Sequence, residues 1–467
     1  MTTSATELGS RRNVESRTAL LRQTAERAIR YLDGLDERAV NASPAALARL
    51  AGLDEPLPAE PTDAGEVIAL LDEIGSPATI ATAGGRYFGF GIGGALPAGV
   101  AANWLTAAWD QDAGMVALAP GAANLEEVAR GWLLDLLGLP PDAAAGFVTG
   151  ATMANFTALA AARHAVLARA GWNVEADGLF GAPPVTVVVG DEVHVSVLKA
   201  LSLAGFGRER LVRVPVDGQG RMRADALPAL TGPAIVCIQA GNVNTGAFDP
   251  IADICAWAHG HGAWVHVDSA FGLWAAAAPG RAHLAEGIAA ADSWATDAHK
   301  WLNVPYDSGI VFVREANALR AAMGVTAAYL VTSERREPGD YTPEMSRRAR
   351  GVEVWAALRS LGRNGLAEMI ERCCRHASRF AAGLAAAGHE ILNEVELNQV
   401  LVSFGSPRQT RQVIAALQAD GTCWCGGTVW QGRTAMRISV SSWATTDEDV
   451  ERSLAAMLNT AARAQPA

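Results

Sequence analysis

The chain has 467 residues, half of them hydrophobic and 19% charged, which gives room for two or three packed units and excludes global disorder. Its formal net charge of −11 excludes the clustered Lys and Arg that a nucleic acid or an anionic membrane would require as a partner. The opening residues lack the apolar run of a secretory signal, and no stretch of about 18 uncharged apolar residues reads as a membrane span. The six cysteines, Cys373-Cys374 and Cys423-Trp-Cys425 among them, lack zinc-site spacing, so a cytoplasmic protein with reduced thiols and no metal is expected.

Apolar positions at helical spacing from Val14 to Leu35 predict an N-terminal helical arm. A Pro-, Ala- and Glu-rich loop from Leu53 to Thr62 leads to a second helix near Gly65 to Ile74. From Gly85 to about Ser346, short β-rich runs alternate with helical stretches. The runs cover residues 146–149, 185–189, 234–239, 263–267, 293–296 and 309–313. Runs nearly continuous in apolar residues and separated by helices predict an α/β fold with a buried, mostly parallel sheet flanked by helices. Beyond Arg350 come a helix through Leu361, a further helix, strands near 400–404 and 435–440, a helix near 409–419 and a final helix. The expected division is an arm over residues 1–84, a large domain over 85–345 and a small α+β domain over 346–467.

Ligands of open α/β sheets bind at the carboxyl ends of the strands, and four such ends carry polar residues here. Gly146-Phe-Val-Thr-Gly150-Ala151-Thr152 is a strand, small residues and a helix start, the makings of an anion site; the alternative is a plain tight turn. Val185 to Val189 leads through Asp191-Glu-Val to His194 at a strand-to-helix junction, where the ring could lie flat on a cofactor or be an ordinary satisfied side chain. Ala263-Trp-Val-His-Val-Asp268-Ser-Ala270 ends a hydrophobic strand in a carboxylate that could keep a pyridinium protonated or cap a helix. Ser293-Trp-Ala-Thr-Asp-Ala-His299-Lys300 presents a lysine at a strand end, the amine that Schiff-base chemistry needs, though a single lysine there is often structural.

The order of these pieces resembles the group II pyridoxal-dependent decarboxylases, the family of aromatic-amino-acid, glutamate and diaminobutyrate decarboxylases within the aspartate-aminotransferase fold (fold type I). The resemblance also rests on Gly241-Asn242-Val-Asn-Thr-Gly-Ala-Phe-Asp249, Asp297-Ala-His-Lys-Trp301, Tyr306-Asp-Ser-Gly309 and Ser346-Arg-Arg-Ala-Arg350. It covers the chain from about Arg86 onward. It implies pyridoxal 5'-phosphate as cofactor, with an aldimine on Lys300, Asp268 against the pyridinium nitrogen, His194 stacked on the ring and Ala270 on its other face. It further implies Gly150, Ala151, Thr152 and His299 around the phosphate and Asn242 beside the 3-hydroxyl. Asp297 is not counted as a phosphate ligand, because an ionised carboxylate cannot donate a hydrogen bond. The implied reaction is decarboxylation of an L-amino acid to an amine and carbon dioxide through a quinonoid, in a homodimer with shared active sites.

Three features qualify that reading. Gly89-Phe-Gly91-Ile-Gly-Gly94 fits G-x-G-x-x-G, but no buried strand precedes it and no clean βαβ unit follows, which argues against a dinucleotide site. This segment lies near the substrate mouth in relatives, where it is often aromatic. The polar stretch from Gly324 to Pro343 reads as a lid bordered by Tyr329 and Tyr341; the resemblance makes Tyr341 the candidate proton donor to Cα, the alternative being a tyrosine that anchors the loop. Arg437 resembles the carboxylate-binding arginine of aminotransferases of this fold, which keeps transamination open beside an aldolase or lyase reaction; the alternative is a structural arginine. A non-catalytic scaffold subunit is the alternative of another kind, and the presence of both Lys300 and Asp268 speaks against it.

Overall fold

The computed structural model describes residues 5–325 and 335–464, with side chains described from residue 16 onward. The N-terminal region contains α1 (Ala5–Asp33), α2 (Ala64–Leu70), α3 (Pro97–Trp109) and α4 (Pro120–Leu136). The central region then runs β1 (Ala144–Val148), α5 (Ala151–Arg169), β2 (Thr186–Gly190), α6 (Val195–Leu203), β3 (Val212–Val214) and β4 (Ala234–Gln239). It continues with α7 (Ile251–Gly260), β5 (Trp264–Asp268), β6 (Ser293–Asp297), β7 (Gly309–Val313) and α8 (Ala316–Met323). The C-terminal region holds α9 (Gly351–Ala386), β8 (Glu390–Ile391), β9 (Gln399–Ser403), α10 (Pro407–Asp420), β10 (Gly426–Trp430), β11 (Arg433–Ser439) and α11 (Asp447–Arg463).

The first seven strands form one sheet in the order β1-β7-β6-β5-β4-β2-β3. The strands from β6 through β3 pair in parallel, while β7 is antiparallel to both β6 and β1. Two strands antiparallel to the same neighbour point the same way, so β1, β2, β4, β5 and β6 all end on one side of the sheet. This mostly parallel α/β sheet is the predicted fold class.

Strand side chains alternate between faces, and each face has its own core. Ile235, Cys237 and Trp264 pack with α5, α6 and α8, whereas Val236, Ile238, Val265 and Val267 pack with α4, α7 and α9. Burial on both faces is why these strands read as continuous apolar runs. Alanine at 154, 158, 161, 162 and 165 lets α5 lie close to the sheet.

The C-terminal strands form a four-stranded sheet in the order β10-β11-β9-β8. The break expected after Leu361 is a kink in α9 at Gly362, whose φ of 60° is left-handed and suits glycine. An earlier segment ties this sheet to the large one: Phe88 N–H donates to Trp424 O (2.8 Å), and Ser439 N–H donates to Phe88 O (2.9 Å).

Candidate active site

Lys300 follows β6 on a turn held from three directions. Ala298 and His299 N–H both donate to Ser308 O, at 3.0 and 3.1 Å. Asn303, with a left-handed φ of 55°, donates from its side chain to Ser441 O (3.0 Å) and accepts from Trp443 N–H (2.9 Å), which anchors the turn to the C-terminal region. From the front, Gly93 lies against the turn so closely that a Cβ there would overlap the Lys300 carbonyl oxygen. Part of the glycine-rich segment 89–94 therefore has a steric cause: backbone must touch backbone at Lys300.

His194, Asp268, Ala270 and Lys300 line one cavity together with Gly241 and Val243. His194 is the N-cap of α6, its Nδ1 accepting from Ser196 N–H at 3.3 Å. Asp268 ends β5 and caps no helix; its Oδ2 accepts from the Ser196 hydroxyl at 3.4 Å, and its buried Oδ1 has no hydrogen-bond partner among the described residues. Burial pushes Asp268 above the ordinary carboxylate range, opposed by His194 and Lys300. Burial also pushes the His194 imidazole down, with Asp268 opposing, so this ring is held neutral.

The expected phosphate contacts gather at the start of α5. Gly150 is its N-cap, and a Cβ there would stand 3.2 Å from His299 Cε1, so only glycine leaves the approach open. His299 Nδ1 accepts from Ser308 N–H (3.0 Å), which places the proton of the neutral ring on Nε2 as a donor. Burial keeps that ring below its ordinary pKa, against the pull of Asp297. Asp297 only accepts: its Oδ1 takes the Ala151 N–H at 2.6 Å and its Oδ2 lies 3.2 Å from Lys300 Nζ. Thr152, half-buried, is the second residue of α5.

Two expected residues stand elsewhere. Asn242 is buried but does not line the cavity; its Oδ1 accepts from Asn244 and Thr245 N–H (2.9 and 3.2 Å) and so shapes the loop whose neighbours Gly241 and Val243 do line it. Tyr341 packs at the sheet edge beside β1, with the Arg336 guanidinium 4.2 Å from its ring centre, and it is not brought to Lys300 within the chain. Tyr329 lies outside the described residues.

Ser196 was not singled out by sequence, whereas Tyr306, the arginines of 346–350 and Arg437 entered through the resemblance. Ser196 bridges His194 and Asp268, and Tyr306 stacks on His299 with ring centres 4.2 Å apart. Burial and Asp297 push the Tyr306 hydroxyl up to about 12. Only its placement just after His194 signalled Ser196, whereas Tyr306 opens the motif Tyr306-Asp-Ser-Gly309. The arginines of 346–350 are clamps: Arg347 pairs with Glu126 and donates to Phe147 O (2.9 Å), while Arg350 pairs with Asp307 at 2.7 Å. Arg437 donates to Val243 O at 3.2 Å, and no carboxylate pairs with it among the described residues. Around the glycine-rich segment expected near the mouth, Tyr87 and Phe90 each stack on Trp424, at 5.1 and 5.4 Å.

A family model described as the pyridoxal-dependent decarboxylase conserved domain matches residues 91–406. The chain belongs to the pyridoxal-dependent decarboxylase family. Within it, the chain is 30% identical over 280 residues to an aromatic-L-amino-acid decarboxylase of Bacillus atrophaeus, an alignment covering 57% of the chain and 56% of that relative. It is 28% identical over 364 residues to tryptophan decarboxylase 1 of Oryza sativa subsp. japonica, covering 69% and 70%. It is also 28% identical over 384 residues to an L-2,4-diaminobutyrate decarboxylase of Rhizobium meliloti (strain 1021), covering 77% and 73%. The structure of Oryza sativa TDC with PLP and tryptamine superposes with a TM-score of 0.88 at 21% identity, over 96% of this chain and 98% of that one. Fold type I is thereby shown.

The cofactor of pyridoxal-dependent decarboxylases is pyridoxal 5'-phosphate, and the site fits it on its own terms. An amine and a partnerless buried carboxylate oxygen belong to the walls of one cavity, and the cradle at Gly150 would be narrowed by any Cβ.

Proposed function

We propose that this chain decarboxylates an L-amino acid to the corresponding amine, with pyridoxal 5'-phosphate carried on Lys300. The observation that supports this best is the convergence of Lys300, Asp268 and His194 on one cavity at the carboxyl ends of β2, β5 and β6. Bound there, the cofactor would supply an electron sink for the bond broken at Cα.

The chain's own residues hold and orient. Lys300 offers the amine and afterwards a base or acid close to the reacting carbon. Asp268, a carboxylate in a buried setting, would hold a proton on the ring nitrogen. Neutral His194 would cover one ring face and Ala270 the other. Gly150, Ala151, Thr152 and the His299 Nε2–H would hold the phosphate, and Asn242 acts by shaping the loop beside the ring. The names of the relatives, aromatic-L-amino-acid and L-2,4-diaminobutyrate decarboxylases, bracket the substrates to be tried.

Incubation with a panel of L-amino acids should release carbon dioxide and an amine with no keto acid added. Arg437 favours a second reading, because its guanidinium, bonded to Val243 O and with no carboxylate partner among the described residues, could bind a substrate carboxylate and retain it. Dependence on a keto acid would then make transamination the reaction.

The functional unit we propose is a homodimer with shared sites. Trp104, Leu105 and Trp109 on α3, with Leu118 and Phe90, expose large apolar side chains that a second copy would cover. A dimer mass by light scattering supports this, and a monomer contradicts it. Six buried free thiols, including neighbouring Cys423 and Cys425, accord with a cytoplasmic, reducing compartment.

A further inference from the structure

A continuous chain of hydrogen bonds runs through the core behind the cavity. Trp264 Nε1–H donates to Ser293 Oγ at 2.8 Å, and Ser293 Oγ stands 2.9 Å from His266 Nδ1. His266 Nε2 lies 2.8 Å from Asn155 Oδ1, and Asn155 Nδ2 donates to Ser196 Oγ at 3.3 Å. Ser196 Oγ then reaches His194 Nδ1 at 2.7 Å and Asp268 Oδ2 at 3.4 Å. Every member is buried except His194, which is half-buried.

The direction of this chain follows from the groups that have a single role. The Asn155 carbonyl oxygen only accepts, so His266 Nε2 carries the proton and donates to it. A neutral imidazole that donates at Nε2 accepts at Nδ1, so Ser293, which accepts from the Trp264 indole N–H, gives its own hydrogen to His266 Nδ1. The Asn155 amide then donates to Ser196. The single Ser196 hydroxyl hydrogen is left to serve His194 or Asp268. The Ser196 backbone N–H also donates to His194 Nδ1, so that nitrogen is an acceptor and its proton sits on Nε2.

We propose that Trp264, Ser293, His266, Asn155 and Ser196 form a one-way donor relay that delivers a single hydrogen to the His194–Asp268 pair and holds His194 Nδ1 as an acceptor, with Ser196 as its output and positioning residue. Burial independently holds His266 neutral, pushing its imidazole down to about 3, as the relay requires. A core that merely satisfied its polar atoms would have no need to end on the two groups that face the cofactor. The catalytic consequence rests on the function proposed above; the proton positions do not.

Cofactor-free protein labelled with nitrogen-15 histidine tests the relay directly. His266 and His194 should each carry one proton, on Nε2, at about pH 7. A proton on Nδ1 of either ring, or a charged His266, overturns the relay whatever the cofactor does. In the loaded protein, Ser196→Ala should weaken retention of pyridoxal phosphate about tenfold and shift its absorption band, and Ser196→Thr should restore both. An unchanged band and unchanged retention in Ser196→Ala overturn the positioning role. Wild-type protein that takes up no pyridoxal phosphate would instead defeat the proposed function, while the imidazole protons still decide the relay.

Discussion

The wall of the cavity and the aromatic cluster expected at its mouth are built in different ways. Behind the cofactor position, His194, Asp268 and Lys300 each come from a strand end and the few residues after it. At the expected mouth, Tyr87, Phe90 and Trp424 come from distant parts of the chain and are held together where residues 86–88 hydrogen-bond along Trp424 and Ser439. The wall is fixed by local strand-turn-helix geometry, which any chemistry of this fold can use. The aromatic cluster is fixed by long-range contacts, which local strand-turn geometry does not set. Reaction type should therefore fail with the wall, and substrate preference should change with the mouth.

The largest effect should come from the wall. Lys300→Ala should lower kcat by about a thousandfold or more while leaving the unfolding midpoint near wild type, as turnover and denaturation together would show. Retained turnover would break the comparison at its strongest point. Gly93→Ala tests where wall and mouth touch. Its Cβ must displace the Lys300 carbonyl, so it should cost about 3 kcal/mol in chemical denaturation and loosen cofactor retention.

Trp424→Ala sharpens the other side. Loss of the stack with Tyr87 and Phe90 should change kcat/KM for aromatic relative to small amino acids by about tenfold, with the cofactor absorption band unmoved. A shifted band would mean that the mouth also shapes the wall. The smallest effect concerns pH. His266 is held down to about 3 in the folded chain but takes a proton near its ordinary value of 6.5 when unfolded. The unfolded state then binds more protons as pH falls below 6.5, so this group alone should remove about 1 kcal/mol of stability between about pH 6.5 and 5.5. Comparing denaturation of wild type and His266→Gln across that window isolates it, and equal slopes would contradict the buried neutral ring.

The same contrast explains what the sequence could disclose. Strands β4 through β7 are buried throughout, and the unbroken apolar runs of residues 234–239 and 309–313 gave their bounds directly. β3 is three residues with Val212 and Arg213 exposed, and β10 opens on two glycines and alternates in burial, so neither leaves such a run. Lys300, His194 and Asp268 were legible because a strand end marks each one. Ser196 was not, because its contact with Asp268 spans 72 positions and a serine beginning a helix reads as ordinary. Asn242 and Tyr341 were placed by resemblance, and neither local turn bonding nor edge packing shows in a motif. The glycines of 89–94 read from sequence only as a poor dinucleotide motif, whereas in the fold Gly93 lies against the Lys300 turn and Gly89 against Trp424.

All of this depends on the amine of Lys300 carrying the cofactor. Borohydride reduction of the loaded protein, followed by peptide mass spectrometry, tests it most directly. The protein should be yellow, with a reduced cofactor mass on the peptide containing Lys300 that disappears in Lys300→Ala. A colourless protein, or a cofactor mass fixed to another residue, would contradict it.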